Sequence, residues 1–291
     1  MTDNPLVHLQ DFGQSVWIDD LRRDLITSGE LKGLIETGGV RGLTSNPAIF
    51  EKAIVGSSNY DQEIRRLAEG GSTVSDIYEE LVIKDIQDAA DLFRPLYESS
   101  GGGDGYVSLE VSPYLAKDTE GTIAEARHLW ERVARPNLMI KIPGTPEGLP
   151  AITQVISEGI SVNVTLLFSQ DAYATVAEAY IQGLERCAGP LDRIASVASF
   201  FLSRIDSSVD ALLETKIQQT SDPDQQALLK SLEGQTAIAN AKLAYERFKE
   251  IFASERFKAL EARGASAQRL LWASTGTKNP DYRDVRYVEE L

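Results

Sequence analysis

Short apolar stretches alternate with longer amphipathic ones seven times along this chain, and that alternation restricts the fold more than any other feature. The short stretches lie at 15–19, 40–46, 106–113, 138–143, 161–168, 194–201 and 269–274, and read as strands. Helical patterns fill about 20–27, 28–36, 59–69, 75–98, 119–134, 146–157 and 169–187, and a longer region, 205–262, is broken at Ser221-Asp222-Pro223. Residues 1–14 read as a loosely packed lead-in, and 285–291 as the start of a helix. Strand and helix in strict alternation are the sequence form of a parallel α/β sheet. No glycine fingerprint follows the first strand, which argues against a dinucleotide-binding sheet. Polar and ionisable residues stand instead near the C-terminal ends of several strands, where a (β/α)8 barrel builds its active site.

One strand carries an anomaly. Residues 138–143 read L-M-I-K-I-P, an apolar run with Lys141 inside it. Fully buried lysines are rare because desolvating an ammonium is costly. One outcome is a neutral, nucleophilic amine; the other is a side chain that reaches solvent or pairs with a carboxylate. Residues 106–113 (Y-V-S-L-E-V-S-P) alternate strictly, with Tyr106, Ser108, Glu110 and Ser112 on one face. In an open sheet that face meets water; in a barrel it can line the interior. Asp19 and Asp20 end the first strand and suit a helix N-cap as well as a reactive site. Asn46 before Pro47 is likewise an N-cap or a side chain presented at a strand end. The glycine run 101–105 lacks a Walker-type lysine and reads as a linker.

Composition narrows the function classes. A net charge of −15 argues against nucleic acid or an anionic membrane as partner, and requires local cations or amides wherever a phosphorylated substrate binds. One cysteine, Cys187, excludes an internal disulfide, and two histidines make a His-rich metal site implausible. With no apolar run of membrane-spanning length and no signal-peptide pattern, the expected compartment is the reducing cytoplasm.

Six motifs in order give the chain a resemblance to transaldolase. They are 42–50 (G-L-T-S-N-P-A-I-F), 107–113 (V-S-L-E-V-S-P), 138–144 with Lys141, 159–169 (G-I-S-V-N-V-T-L-L-F-S), 197–204 (V-A-S-F-F-L-S-R) and 272–280 (W-A-S-T-G-T-K-N-P). The chain is most similar to the longer transaldolases, a branch that includes fusions to glucose-6-phosphate isomerase. The resemblance implies a (β/α)8 TIM barrel of the class I aldolase type. Residues 1–291 would form a single barrel domain lacking its last strand and helix, as in a fragment of a longer chain.

The resemblance further implies metal-free, cofactor-free chemistry through a lysine Schiff base. Lys141 would attack the C2 carbonyl of a ketose phosphate, Asp19 would take the C4 hydroxyl proton, and Glu110 with Thr165 would hold a water and move protons. Asn46, Asn163 and Ser199 would bind substrate hydroxyls, and Phe201 would form an aromatic wall. Arg204, Ser274 and Lys278 would bind phosphate, Lys278 standing where other members carry a nearby arginine. The implied reaction transfers a dihydroxyacetone unit from sedoheptulose 7-phosphate to glyceraldehyde 3-phosphate, giving erythrose 4-phosphate and fructose 6-phosphate. A homodimer is left open. The alternatives are an enzyme like fructose-6-phosphate aldolase, which releases free dihydroxyacetone, and a catalytically dead barrel fragment with an interaction role.

Overall fold

All seven expected strands form, because each is an apolar run stopped by residues that leave the ladder. They are β1 (Val16–Ile18), β2 (Val40–Thr44), β3 (Tyr106–Glu110), β4 (Leu138–Pro143), β5 (Val162–Leu167), β6 (Ser196–Phe201) and β7 (Arg269–Ala273). They follow one another in chain order through one sheet. The pairs β1–β2, β2–β3, β3–β4 and β6–β7 are parallel. Parallel strands in sequence order, separated by helices, are the α/β arrangement of TIM-barrel-like folds. The structure, a computed structural model, describes residues 4–291 and divides into two compact units.

The first unit comprises the described residues up to Ile142 together with Ile160–Val162. Its helices are α1 (Pro5–His8), α2 (Arg23–Thr27), α3 (Glu30–Glu36), α4 (Pro47–Val55), α5 (Asp61–Glu69), α6 (Val74–Ser99) and α7 (Thr119–Val133). Helix α6 starts at a capping box in which the Thr73 hydroxyl accepts from the Asp76 N–H and the Asp76 carboxylate accepts from the Thr73 N–H. Its stripe Leu81, Ile86, Ala89 and Phe93 is buried at 0–1 % exposure. Strand β4 is pinned at its start by Asn137, whose amide donates to the carbonyls of Ala90 and Gly105, both at 2.9 Å.

Three local expectations change here. The glycine run is more than a linker: Asp104 accepts from Ser15 and from Arg41, tying together the starts of β1, β2 and β3. Gly105 sits at φ +80°, and a Cβ there would lie 2.5 Å from the Tyr97 nitrogen, so only glycine fits between α6 and β3. Asp20 does not cap α2, whose N-cap is Arg22 with no side-chain bond; it accepts from the Arg22 guanidinium instead. Of the expected lead-in, residues 1–3 lie outside the described residues. From Asn4 the chain is helical, Asn4 capping α1 and donating to the Thr37 carbonyl.

The second unit comprises Pro143–Gly159 and Asn163–Leu291. Its helices are α8 (Gly148–Ser157), α9 (Gln170–Arg186), α10 (Ser203–Gln219), α11 (Pro223–Ser231), α12 (Thr236–Phe252), α13 (Glu255–Glu261) and α14 (Arg286–Glu290). The expected break at Asp222-Pro223 is there, with Asp222 capping α11 and Pro223 in its first turn. Two further breaks follow, at Leu232–Gln235 and at Ser254, which caps α13.

Buried carboxylates explain why the long helical region folds back where it does. Asp206 and Asp210, one turn apart on α10, are 2 % and 8 % exposed. Asp206 accepts from the Ala237 N–H and the Tyr287 hydroxyl, both at 2.7 Å. Asp210 accepts from the Gly234 N–H at 2.9 Å and the Tyr282 hydroxyl at 2.7 Å. Each carboxylate thus ties α10 to the α11–α12 turn and to the C-terminal segment. Burial first, and then the Asp206 carboxylate, push the Tyr287 phenol above its ordinary value, so it stays a donor. Replacing Tyr287 by Phe strands half of a buried carboxylate and is expected to cost about 1.5–3 kcal/mol in urea unfolding. A phenol titrating higher in the folded state contributes fully below its unfolded value near ~10 and loses that contribution above it. The wild-type advantage over Tyr287→Phe should therefore shrink as pH rises beyond that point.

Candidate active site

Lys141 is the fourth residue of β4, a strand whose six residues are all buried. Its register partner on β3 is Glu110. Residues side by side in a parallel pair point to the same face, so the pairing itself brings the two side chains together. Nζ lies 2.8 Å from the Glu110 carboxylate, with side-chain exposures of 10 % and 17 %. It also donates to the Ser45 main-chain oxygen at 3.1 Å. Of the two readings of the lysine, the structure shows the second, a pairing with a carboxylate, and that carboxylate is the residue that the resemblance implies would move protons. Tyr106 and Ser108, on the same face of β3, are buried, so that face is covered up to Glu110, which is partly exposed.

Asp19 follows β1 directly; it is exposed and makes no hydrogen bond or ion pair among the described residues. Asn46 is the N-cap of α4, its Oδ1 accepting from the Ile49 N–H at 3.0 Å. That bond occupies only the oxygen. The N-cap reading holds, and the amide nitrogen has no partner among the described residues.

In the second unit, Asn163 and Thr165 are buried on β5 and Ser199 is buried on β6. The Ser199 hydroxyl donates to Asn163 Oδ1 at 2.7 Å, and the Thr165 carbonyl accepts from the Gly144 N–H at 2.9 Å. Phe201 ends β6 and packs at 5.2 Å against the ring of Phe168. The Arg204 guanidinium stands 5.0 Å above the Phe201 ring. Arg204 lies in the first turn of α10, at the positive end of a helix of 17 residues. Ser274 follows β7 at φ +55° and its hydroxyl is bonded to that of Ser203 at 2.9 Å, beside Arg204 in sequence. Lys278 is exposed and lines a cavity of about 190 Å³ with Ser203, Asp206, Asp210, Tyr282 and Tyr287. Neither Arg204 nor Lys278 is paired with a carboxylate among the described residues. In a chain of net charge −15, cations that no carboxylate neutralises are what a phosphate would require, though the cavity that Lys278 lines also carries Asp206, Asp210 and Glu214.

Comparison with known proteins agrees with this geometry. Residues 16–291 match the family model for transaldolase/fructose-6-phosphate aldolase. A transaldolase from Trichodesmium erythraeum is 57% identical over 294 residues, covering 100% of this chain and 77% of the relative. Transaldolase 2 of Nostoc punctiforme is 54% identical, and a transaldolase of Saccharopolyspora erythraea 53%, with the same coverage. The chain belongs to the transaldolase/fructose-6-phosphate aldolase family.

Four groups that contact the predicted residues or their neighbours, one in the first unit and three in the second, have no clear signal in the sequence. The Ser45 carbonyl acts through the backbone, which side-chain motifs do not display. Ser203 is one serine among several near Arg204. Phe168 lies inside a matched motif without standing out from it. Asn240 lies 72 residues from Phe168, whose carbonyl its amide binds at 3.0 Å.

The Lys141–Glu110 pair yields a stability prediction. Glu110→Ala leaves a buried ammonium with one neutral acceptor and is expected to destabilise the fold by about 3 kcal/mol. Adding Lys141→Met removes the stranded charge and should recover most of that loss. Equilibrium denaturation of the single and double variants measures both.

Proposed function

We propose that this protein catalyses the transaldolase reaction, moving a dihydroxyacetone unit between sugar phosphates through a Schiff base on Lys141. The observation that carries the reading is a lysine nitrogen inside a buried strand, 2.8 Å from a carboxylate on the neighbouring strand. Class I aldol chemistry needs these two groups together, a shielded amine and an acid–base partner within proton-transfer distance. Family membership and whole-chain identity to transaldolases support the same reaction.

The steps follow from the groups present. Glu110 takes a proton from Lys141, and the amine attacks C2 of the ketose phosphate. Glu110, with Thr165 and a water, returns protons so that the C2 oxygen leaves as water, forming the iminium. Asp19, unengaged at the end of β1, takes the C4 hydroxyl proton. The C3–C4 bond then breaks, its electrons flow into the iminium, and the aldose leaves. The remaining enamine adds to the acceptor aldehyde through its C3 carbon, and hydrolysis releases the new ketose. Asn46, Asn163 and Ser199 hold substrate hydroxyls, and Phe201 forms an apolar wall. Arg204, Ser274 and Lys278 bind the phosphate, Arg204 as a planar fork and Lys278 as a point charge. The natural substrates are sedoheptulose 7-phosphate and glyceraldehyde 3-phosphate, with erythrose 4-phosphate and fructose 6-phosphate as products.

The test is to incubate the protein with fructose 6-phosphate, reduce with borohydride, and map the adduct by peptide mass. A three-carbon adduct on the Lys141 peptide is expected; its absence from folded protein overturns the Schiff-base reading. Steady-state product analysis without an acceptor aldehyde should show little free dihydroxyacetone, whereas rapid release would make the enzyme an aldolase. Glu110→Gln is expected to slow adduct formation by roughly 10²–10⁴-fold, measured in the same trapping assay.

A further inference from the structure

The protons on Lys141 need acceptors at every stage of the chemistry, and the steps above use only one of the two that surround Nζ. The second is the main-chain oxygen of Ser45, at 3.1 Å. Ser45 is fully buried and stands one residue beyond the end of β2. Two bonds onto a single atom fix its peptide: its N–H donates to the Ser108 carbonyl at 3.2 Å and its hydroxyl donates to the same carbonyl at 2.7 Å. The hydroxyl thus extends the β2–β3 ladder where the chain is about to turn into α4. This places a carbonyl, with no proton of its own to exchange, against the reacting nitrogen.

The two acceptors differ in what the reaction asks of them. Attack on the ketone forms the N–C2 bond and moves the carbonyl electron pair onto oxygen. One proton passes from nitrogen to that oxygen, giving a neutral carbinolamine. A second proton delivered to the oxygen lets it leave as water, and the nitrogen lone pair forms the C=N bond. The product is an iminium that carries one N–H and a positive charge. Glu110 gains and loses protons during these transfers, so it is not a constant acceptor. A carbonyl is.

We infer that the Ser45 carbonyl accepts the N–H of the protonated Schiff base on Lys141, and that the Ser45 hydroxyl is a positioning group that keeps this carbonyl aimed. The inference rests on the lysine chemistry proposed above. A fixed dipole directed at a developing positive charge stabilises the iminium, the species into which the C3–C4 electrons flow. Ser45→Ala removes the stronger of the two tethers and leaves the carbonyl free to drift from the nitrogen.

The experiment measures, for wild type and variants across a pH series, the fraction of Lys141 peptide trapped by borohydride with fructose 6-phosphate. Ser45→Ala is expected to lower the trapped fraction about tenfold, the scale of one charge-assisted hydrogen bond. The alkaline limb of the profile should also move to lower pH, because the protonated imine has lost stabilisation. Ser45→Thr, which restores a hydroxyl, should return both quantities towards wild type. An unchanged fraction and profile in Ser45→Ala overturn the inference, as does a loss that Ser45→Thr does not reverse. If circular dichroism shows Ser45→Ala unfolded, Ser45→Cys takes its place, since a thiol is a weak donor of similar size. A wild-type profile in that variant also overturns the inference. Absence of any adduct in folded wild type counts against the Schiff-base function itself. An adduct in wild type with Ser45 variants unaffected counts against the role of Ser45 alone.

Discussion

A buried ammonium must have its protons met, and the first unit is arranged around that requirement at Lys141. Six consecutive buried residues leave β4 little access to solvent along either face. The amine is satisfied from the neighbouring strands instead. The β3 register delivers Glu110, and the residue after β2 delivers a carbonyl. The Asn137 amide sets where β4 begins, joining it to α6 and to the start of β3. A shift of one residue in the β3–β4 register would turn Glu110 to the other face and leave the ammonium with a neutral acceptor only. Register and chemistry are thus one constraint. The pair that makes the lysine tolerable inside a strand is also the pair to which the proposed chemistry assigns its proton.

The second unit solves the opposite electrostatic problem. A chain with fifteen excess negative charges does not attract anions as a whole, so any anion site depends on which carboxylates are kept away from its cations. On α10, Asp206 and Asp210 line the cavity that Lys278 reaches, but their oxygens are committed to two N–H groups and two tyrosines. Arg204, on the same helix, is left over an aromatic ring with no carboxylate partner. The ring holds the guanidinium by its face, where an acid would occupy its donors. The donors stay unpaired with any carboxylate among the described residues, and the end of the helix adds its own positive field.

Strand number, helix order and the oddity of Lys141 were legible in the sequence because each depends on local pattern. A six-residue apolar run stopped by Gly144, or alternation through 106–110, specifies an element without reference to the rest of the chain. Lys141 was legible for the same reason: it violates the pattern around it. Most of what escaped was set by distant partners. The extra breaks at Leu232–Gln235 and Ser254 belong to a region of continuous helical character, and Asp206 and Asp210 help place the first of them. That Asp20 would accept from Arg22 rather than cap α2 depends on how the turn after β1 closes. Asp104, within a glycine run that resembled a linker, gains its role from Ser15 and Arg41, 89 and 63 residues away. Asn46 was ambiguous in the sequence because one side chain has two ends. The oxygen caps a helix while the nitrogen stays unengaged.

Backbone strain marks the same places from a different direction. Among the described residues, three non-glycine residues have left-handed φ: Ala134, Leu166 and Ser274. Ala134 is the C-cap of α7, a position where such a conformation is ordinary. Leu166 and Ser274 are at strand ends, where each costs on the order of 1 kcal/mol or more and persists only if its surroundings hold it. They are held. The residue before Leu166, Thr165, has its carbonyl fixed by the Gly144 N–H, and the residue after it, Leu167, is fully buried. Ser274 is fixed twice by Ser203, whose N–H binds its carbonyl at 3.1 Å and whose hydroxyl meets its own. Glycine would adopt either conformation without strain but would leave the chain free to relax from it. A strained side-chain residue that is clamped on both sides gives a more rigid strand end than a relaxed glycine, and rigidity is what Thr165 and Ser274 need if they are to hold a water and a phosphate in fixed positions.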